Sequence, residues 1–257
     1  MVRGGYVGKY LDVDLTTGTF HDVTLPEETL ATWIGGTGLG LHLLAQELVP
    51  GMKPDDPEVP VFILTGPLTG TTAPQSSNWT IVTLNTVLPD HPGVSQSHGY
   101  WGARLRHAGW DGIFIRGISP KPVYIWIDDG KVEIKDAAVV WGKDTFETER
   151  RIAVDLGDEE NISVACIGQG GEALLPGASV RTDRAYGASK GGPGVVWGAK
   201  KLKAIATRGT GPVPIAEPDA FLKTTDDWTE AWKKTYVIGE NRTQPEGIKI
   251  MAEIAAF

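Results

Sequence analysis

The sequence predicts an α+β fold: a duplicated β-sheet domain with short helices, followed by the start of a helical domain. The tetrapeptide Trp-Gly-Ala-(Arg/Lys) occurs twice, at residues 101–104 and 197–200. Each copy follows a loop of small and polar residues and leads into an apolar run that ends in Arg-Gly. The predicted elements before the two copies also follow one another in the same order. Such internal repetition decides the fold class of a chain.

Composition is that of a globular protein, with 41% hydrophobic and 22% charged residues among 257. A net charge of -8 argues against a nucleic-acid partner, which would require clustered Lys and Arg. No stretch reaches the roughly 18 apolar residues of a transmembrane helix, and residues 1–15 lack the apolar core of a secretory signal. We therefore expect a cytoplasmic protein without a membrane span. The single cysteine, Cys166, excludes an internal disulfide and a cysteine-ligated metal cluster built by this chain alone.

The first half of the chain predicts a β-hairpin, helices and strands. Strand-like runs at 9–13 and 19–25 flank a turn that contains Gly18, a residue suited to positive φ. Pro-Glu-Glu at 26–28 indicates the start of a helix that runs to residue 33, because acidic residues favour a helix N-terminus. Further on, the patterns predict helices at 39–48 and 100–107, strands at 61–65, 78–82 and 111–116, and loops at 35–38, 66–74 and 87–98.

The second half repeats this order. An Asp-Asp-Gly turn at 128–130 joins predicted strands, and a helix, a strand and a glycine-rich loop follow before the second Trp-Gly-Ala unit. Their predicted ranges are 123–127, 131–134, 145–156, 162–167 and 168–171. Chance identity at a few positions is the alternative, but the shared order favours duplication. We therefore predict a duplicated domain at 1–210, with repeats at about 1–117 and 118–210.

The C-terminal part, residues 211–257, predicts a linker and the incomplete start of a helical domain. Prolines mark the linker at 212–218, and helical patterns follow at 219–236 and 247–257. The last helix would carry an apolar stripe that nothing in this sequence covers, formed by Ile248, Met251, Ile254 and Phe257. Either a second domain that this chain does not complete or a partner subunit would cover the stripe.

Several motifs match the consensus sequences of established sites but lack the structural context that those sites require. Residues 168–173 fit G-x-G-x-x-A, but Pro176 interrupts the helix that a dinucleotide site requires. Ser189 lies in G-x-S-x-G, yet every histidine precedes it, which is the reverse of the hydrolase order. The five histidines have no metal-ligand spacing, and Cys166 in its apolar run is typical of a core residue rather than a nucleophile. The chain therefore carries no self-sufficient catalytic or metal site.

The loop at 187–200 favours anion binding. Its small residues allow backbone amides to approach a phosphate closely, and Lys190, Lys200 and Lys201 supply positive charge. No Walker-type spacing fits the loop. We interpret it as a phosphate-binding loop without P-loop geometry, and a tight structural turn is the alternative.

Several phrases in one order carry a resemblance to a known family. They are Gly-Pro-Leu-Thr-Gly-Thr-Thr-Ala-Pro at 66–74, Gly-Tyr-Trp-Gly-Ala at 99–103, Ala-Gly-Trp-Asp at 108–111, Val-Trp-Gly-Lys at 140–143 and Gly-Gly-Pro-Gly at 191–194. Over about residues 5–215, the chain resembles the N-terminal domain of the aldehyde:ferredoxin oxidoreductase family. These are tungsten enzymes with a bis-pterin cofactor and a [4Fe-4S] cluster. The resemblance implies a duplicated pair of β-sheets that forms a base under the cofactor.

The resemblance also implies which positions contact the pterins. They are Asn78, Gln96, Ser97, His98, Tyr186, Gly187, Ser189 and Lys190. Five depart from the family's usual residues: an arginine is usual at 78, 186 and 190, an asparagine at 96 and a glycine at 98. Backbone contacts, such as carbonyls to a magnesium ion that bridges the pterin phosphates, tolerate these changes. Lys190 keeps the positive charge but loses the bidentate fork of arginine.

The implied function is the cofactor-binding portion of a tungsten (or molybdenum) bis-pterin oxidoreductase. Such an enzyme would oxidise aldehydes to carboxylates with ferredoxin-type electron transfer. Catalytic residues and iron–sulfur ligands are expected outside this chain, in the remainder of the enzyme or in a partner subunit. Residues 77–82 and 188–192 look more like the branch that includes tungsten-type benzoyl-CoA reductase. The alternatives are a benzoyl-CoA-reductase-like subunit, a non-catalytic binding or assembly module and, more distantly, a nucleotide-binding oxidoreductase.

Overall fold

The computed structural model describes residues 4–88 and 90–236, and two six-stranded mixed sheets with short helices dominate it. This confirms the predicted α+β class. The chain divides into two compact units. The first comprises residues 1–71 and 75–216 and contains both sheets. The second comprises residues 72–74 and 217–257, and its described helix runs over Pro218–Tyr236.

The first sheet is built by the first half of the chain. Its strands are β1 (Tyr10–Asp14), β2 (Thr19–Val23), β3 (Val61–Thr65), β4 (Trp79–Leu84), β5 (Pro92–Ser97) and β6 (Gly112–Arg116), with helices α1 (Glu27–Trp33), α2 (Gly36–Glu47) and α3 (Trp101–His107). The strand order is β2-β1-β6-β3-β4-β5. β1 and β6 run parallel, and the other neighbouring strands run antiparallel. β5 therefore forms one edge of this sheet.

The second sheet repeats this topology. Its strands are β7 (Val123–Asp128), β8 (Lys131–Asp136), β9 (Ser163–Ile167), β10 (Val180–Thr182), β11 (Tyr186–Ala188) and β12 (Leu202–Arg208), with helices α4 (Thr145–Asp155), α5 (Gln169–Glu172) and α6 (Pro193–Ala199). The order is β8-β7-β12-β9-β10-β11, again with the hairpin's first strand parallel to the last strand. Strand for strand this order equals that of the first sheet, so β11 is the counterpart of β5.

One hydrophobic core joins the two sheets. It includes residues of both repeats, among them Trp101 and Trp197 of the two Trp-Gly-Ala units, and both indoles are fully buried. Trp101 packs against Trp79 with ring centroids 4.5 Å apart. The repeated tryptophan thus serves as a core residue in each half. Such large aromatic side chains contribute much of the apolar area buried in a core.

The structure corrects several predicted elements. Residues 87–98, predicted as a loop, contain β5, and α2 begins at Gly36 within the predicted break at 35–38. β10, β11, α5 and α6 were not predicted either, and α6 occupies half of the predicted loop at 187–200. β10 and β11 have three residues each, and β5 consists mainly of small and polar residues, so no alternating apolar pattern marks them. α7 (Pro218–Tyr236) matches the predicted helix at 219–236, whereas the predicted helix at 247–257 lies outside the described residues.

Candidate functional site

The counterpart edge strands β5 and β11 line one cavity. Val94 and Gln96 come from β5, and Gly187, Ser189 and Lys190 come from β11 and the loop after it. The cavity has a volume of about 500 Å³. Ligand sites of drug-sized molecules occupy roughly 300–1,000 Å³. Each repeat therefore contributes the same structural position to a single space.

The loop after β11 is tied to the first repeat. Ser95 Oγ donates a short hydrogen bond to the carbonyl oxygen of Lys190. The Thr86 amide donates to the carbonyl oxygen of Gly191 over 2.8 Å. Gly191 has a φ of +77°, and a Cβ there would lie 3.0 Å from the Cα of Gly93. Glycine is needed here for both its conformation and the close approach of two backbones.

An aromatic pair lies beside the same strands. His98 follows β5 and Tyr186 begins β11, and their ring centroids are 6.0 Å apart with an interplanar angle of 59°. Trp79 fixes the His98 backbone, since its indole N–H donates to the His98 carbonyl oxygen over 3.1 Å. Both rings of the pair are exposed. They offer planar surfaces against which a planar ligand can pack.

The structure brings together most of the positions that the sequence singled out. Gln96, Gly187, Ser189 and Lys190 line the cavity, and His98 and Tyr186 form the aromatic pair, whereas Asn78 and Ser97 do not line the cavity.

Ser97 and Gln96 point to opposite faces of β5, as successive strand residues do. Ser97 is buried, and its Oγ has no hydrogen-bond partner among the residues that the structure describes. Gln96 is exposed, and its Nε2 lies 3.4 Å from Oγ1 of Thr37 in the first turn of α2. Asn78 precedes β4, and its carbonyl oxygen accepts from Thr69 Oγ1 over 2.8 Å. Thr37 is a neighbour of the cleft that was not among the predicted site residues.

Only one of the three lysines proposed for phosphate binding lines the cavity. Lys200 is fully buried, and its Nζ donates to the carbonyl oxygens of Pro57 and Gly117 over 3.1 and 3.0 Å. Burial lowers the pKa of Lys200 to about 8. Lys201 Nζ donates to the Pro120 carbonyl oxygen over 2.8 Å. Both amines thus hold loops together, and Lys190 is the cation that remains for an anionic ligand.

Other candidate groups have structural roles. Cys166 is buried and donates weakly to the Thr145 carbonyl oxygen at 3.6 Å, and burial raises the pKa of its thiol. Strand β11 precedes Ser189, although no strand was predicted there. Within residues 4–88 and 90–236, no three His, Cys, Asp or Glu side chains are placed to hold a metal ion. In the same residues no helix has the length and apolarity to cross a membrane.

Two copies of one sheet, each presenting its counterpart edge strand to a shared cavity, define a duplicated β-sheet domain. Residues 10–209 match the profile of the aldehyde ferredoxin oxidoreductase N-terminal domain. The chain therefore belongs to the aldehyde ferredoxin oxidoreductase family, and the two sheets are its N-terminal domain.

Known relatives include tungsten enzymes. The chain is 40% identical over 235 residues to the tungsten-containing aldehyde ferredoxin oxidoreductase of Pyrococcus abyssi, covering 91% of this chain and 38% of the relative. It is 35% identical over 247 residues to the WOR-like subunit of an aliphatic sulfonate oxidoreductase of Pyrococcus furiosus, covering 90% and 38%. The chain thus spans well under half the length of these relatives.

A solved structure matches the fold over nearly the whole chain. It is the active site complex BamBC of benzoyl coenzyme A reductase, solved in complex with 1,5-dienoyl-CoA. The TM-score is 0.85 at 32% identity, over 95% of this chain and 37% of the matched chain. The resemblance inferred from the sequence is therefore confirmed for both the family and this related enzyme.

Proposed function

We propose that this chain forms the cofactor-binding base of a tungsten bis-pterin oxidoreductase. The observation that carries the proposal is the single cavity between β5 and β11, the counterpart edges of two repeats. A cofactor with two similar pterin halves suits a site built from two similar edges. The tungsten in the names of the Pyrococcus relatives supports the choice of metal over molybdenum.

The residues of the cleft fit the chemistry of such a group. Gln96 and Ser189 supply an amide and a hydroxyl that can donate to and accept from a pterin ring. Lys190 supplies a point charge for a phosphate. Gly187 presents backbone without a side chain, and His98 and Tyr186 present planar rings. The buried, unpartnered Ser97 Oγ faces away from Gln96 and is the member of the proposed set that fits least.

The role of this chain would be to bind and orient the cofactor. When bound, the metal–pterin group supplies two-electron oxidation or reduction, and the protein tunes and shields it. A magnesium ion held through backbone carbonyls of this domain would neutralise phosphate charge of the cofactor. The proposed assignment is residues 1–210 to cofactor binding and residues 211–257 to a linker and the start of a helical domain.

The remaining functions would belong to other parts of the assembly. We place the [4Fe-4S] cluster and the acid–base residues in the remainder of the enzyme or in a partner subunit. Ferredoxin or an iron–sulfur electron-transfer subunit would exchange electrons with it in the cytoplasm. Aldehyde oxidation is the proposed reaction because two further relatives are named tungsten-containing aldehyde ferredoxin oxidoreductase. They come from Pyrococcus furiosus and Thermococcus kodakarensis and are 40% and 41% identical to this chain.

Replacement of Lys190 tests this proposal. In the full-length protein, Lys190→Glu is expected to lower tungsten and pterin per chain about tenfold, since a repelling charge replaces a phosphate contact. Lys201→Glu is the matched control, because that amine bonds to the Pro120 carbonyl oxygen and does not line the cavity. Equal tungsten content in both variants would remove Lys190 from the site.

A second reaction is favoured by the match to the benzoyl coenzyme A reductase complex. The complete enzyme would then reduce an aromatic acyl-CoA thioester instead of oxidising an aldehyde. Assays of the holoenzyme with both substrate classes separate the two reactions. If the native assembly contains neither metal nor pterin and converts neither substrate class, the chain would instead be a binding or assembly module.

A further inference from the structure

The turn between β10 and β11 has an unusual backbone. Asp183 and Arg184 are consecutive residues with positive φ, at 49° and 59°. Residues other than glycine adopt positive φ at an energetic cost. They keep this conformation where surrounding contacts hold the backbone in place. Tyr186 of the aromatic pair lies two residues further on, so the turn determines where that ring lies.

The Asp183 carboxylate joins the two repeats. Its Oδ2 accepts from the backbone N–H of Tyr100 over 2.7 Å, and its Oδ1 accepts from the Ser163 hydroxyl over 2.5 Å. Tyr100 belongs to the first repeat, whereas Asp183 and Ser163 belong to the second. Hydrogen bonds to a charged acceptor are shorter and stronger than those between neutral groups.

The backbone at Gly99 lies so close to this carboxylate that a side chain there would not fit. Gly99 has a φ of +83°, and a Cβ there would lie 2.2 Å from Asp183 Oδ2 and 2.8 Å from Cδ2 of Tyr186. His98 precedes this glycine. The contact therefore fixes the backbone next to both members of the aromatic pair.

A second carboxylate holds the other side of the turn. The Arg184 amide lies 3.1 and 3.3 Å from the two carboxylate oxygens of Glu149 in α4. Glu149 is 8% exposed. Glu149 and Ser163 thus fix the turn to α4 and β9 of its own repeat. Among these contacts, only the hydrogen bond from the Tyr100 amide to Asp183 fixes the turn to the other repeat.

We propose that Asp183 is a positioning residue for the cofactor cleft. By holding the Tyr100 amide against the β10–β11 turn, it sets the separation of His98 and Tyr186 across the two repeats. Asp183 itself does not line the cavity of the cleft. The inference rests on the proposed cofactor-binding function and assigns a residue that no sequence pattern indicated.

The test uses the full-length protein and three variants. Asp183→Ala removes both hydrogen bonds, whereas Asp183→Asn keeps an acceptor for Tyr100 and a partner for Ser163 and tolerates positive φ. Asp129→Ala is the matched control. Asp129 also has positive φ, at 42°, and also accepts from an amide and a hydroxyl, both of Thr210, but it lies at the opposite edge of the sheet.

Two quantities are measured: amide hydrogen exchange at Tyr100, and tungsten and pterin per chain. We expect Asp183→Ala to accelerate the exchange and to lower cofactor content about tenfold. A tenfold change corresponds to the net free energy of about one hydrogen bond to a charged group. Asp183→Asn should recover most of the content, and Asp129→Ala should match the wild type in both quantities. If Asp183→Ala does not accumulate, Ser163→Ala removes one of the two bonds, and an intermediate loss is expected.

The results separate this inference from the proposed function. Full cofactor content in Asp183→Ala, or unchanged exchange at Tyr100, would overturn the positioning role while leaving the function intact. A wild-type protein without tungsten or pterin would overturn the proposed function, and the positioning role with it. The exchange data would then still report whether Asp183 links the repeats.

Discussion

The indole N–H of Trp101 donates to the carbonyl oxygen of Ile205 over 2.9 Å. Trp101 belongs to the first repeat and Ile205 lies in β12 of the second, so this hydrogen bond crosses the core between the two sheets. The equivalent indole N–H, that of Trp197, is buried without a partner among the described residues. Two tryptophans of one repeated motif are thus equally buried and differ in hydrogen bonding.

This difference predicts unequal effects of one substitution. Trp101→Phe should destabilise the protein by about 1–2 kcal/mol more than Trp197→Phe, because only the former leaves a carbonyl without its donor. Both variants lose a similar buried volume. Chemical denaturation of the two full-length variants measures the difference. Equal losses of unfolding free energy would contradict the assigned hydrogen bond.

Glu149 predicts a pH-dependent stability. Burial raises the pKa of its carboxyl group to about 7. The folded state then binds a proton that the unfolded state has released, so this stabilisation is complete below about pH 4.5 and is lost as the pH rises through 7. Relative to wild type, Glu149→Gln should therefore gain thermal stability between about pH 5 and pH 8.

Glu147→Gln is the control for this titration. Hydrogen bonds from Arg150 and Arg151 lower the pKa of Glu147 to about 2, so its contribution is lost only in stronger acid. Its melting temperature relative to wild type should stay constant between about pH 5 and pH 8. A Glu149→Gln difference that is equally flat would exclude titration of the buried carboxyl group.

Lys200 predicts a pH dependence of stability with the opposite sign, at higher pH. Burial lowers the pKa of its amine to about 8, so between about pH 8 and 10.5 the unfolded state binds more protons than the folded state. The wild type should gain stability relative to Lys200→Met as the pH rises through this range. Thermal unfolding at about pH 7.5 and pH 10 measures the change. A difference between wild type and Lys200→Met that stays constant over this range would exclude titration of the buried amine.

The loop after β11 predicts a steric effect at Gly192. This residue has a φ of +67°, and a Cβ would lie 2.2 Å from Thr86 Oγ1. Gly192→Ala should cost about 1–3 kcal/mol more than Gly130→Ala, because Gly130 shares positive φ but a Cβ there would have nothing within 4 Å. The two unfolding free energies test this, and equal values would show that the loop yields freely.

The repeated order of elements could be predicted from the sequence because its signals are local. Turns with glycine, a helix start at Pro26 and the Trp-Gly-Ala units each occupy a few adjacent residues. The apolar runs at 61–65 and 162–167 also identify their strands without tertiary information.

The cleft could be predicted only in part. β5 and β11 are edge strands without an alternating apolar pattern, and their identity depends on pairing, so the cavity they line was not expected from periodicity. The resemblance alone supplied Gln96, both the loop composition and the resemblance indicated Lys190, and Asp183 was missed. Its partner Tyr100 is 83 residues away, and an aspartate in a polar turn is ordinary in sequence.

The proposals above depend on one property of this chain, the binding of a tungsten bis-pterin cofactor. Native mass spectrometry of the full-length protein, combined with elemental analysis for tungsten, molybdenum and iron, tests it most directly. We expect one tungsten and two pterins for each copy of the chain, with iron on the remainder of the enzyme or a partner. A native assembly that contains the chain without metal or pterin would contradict it.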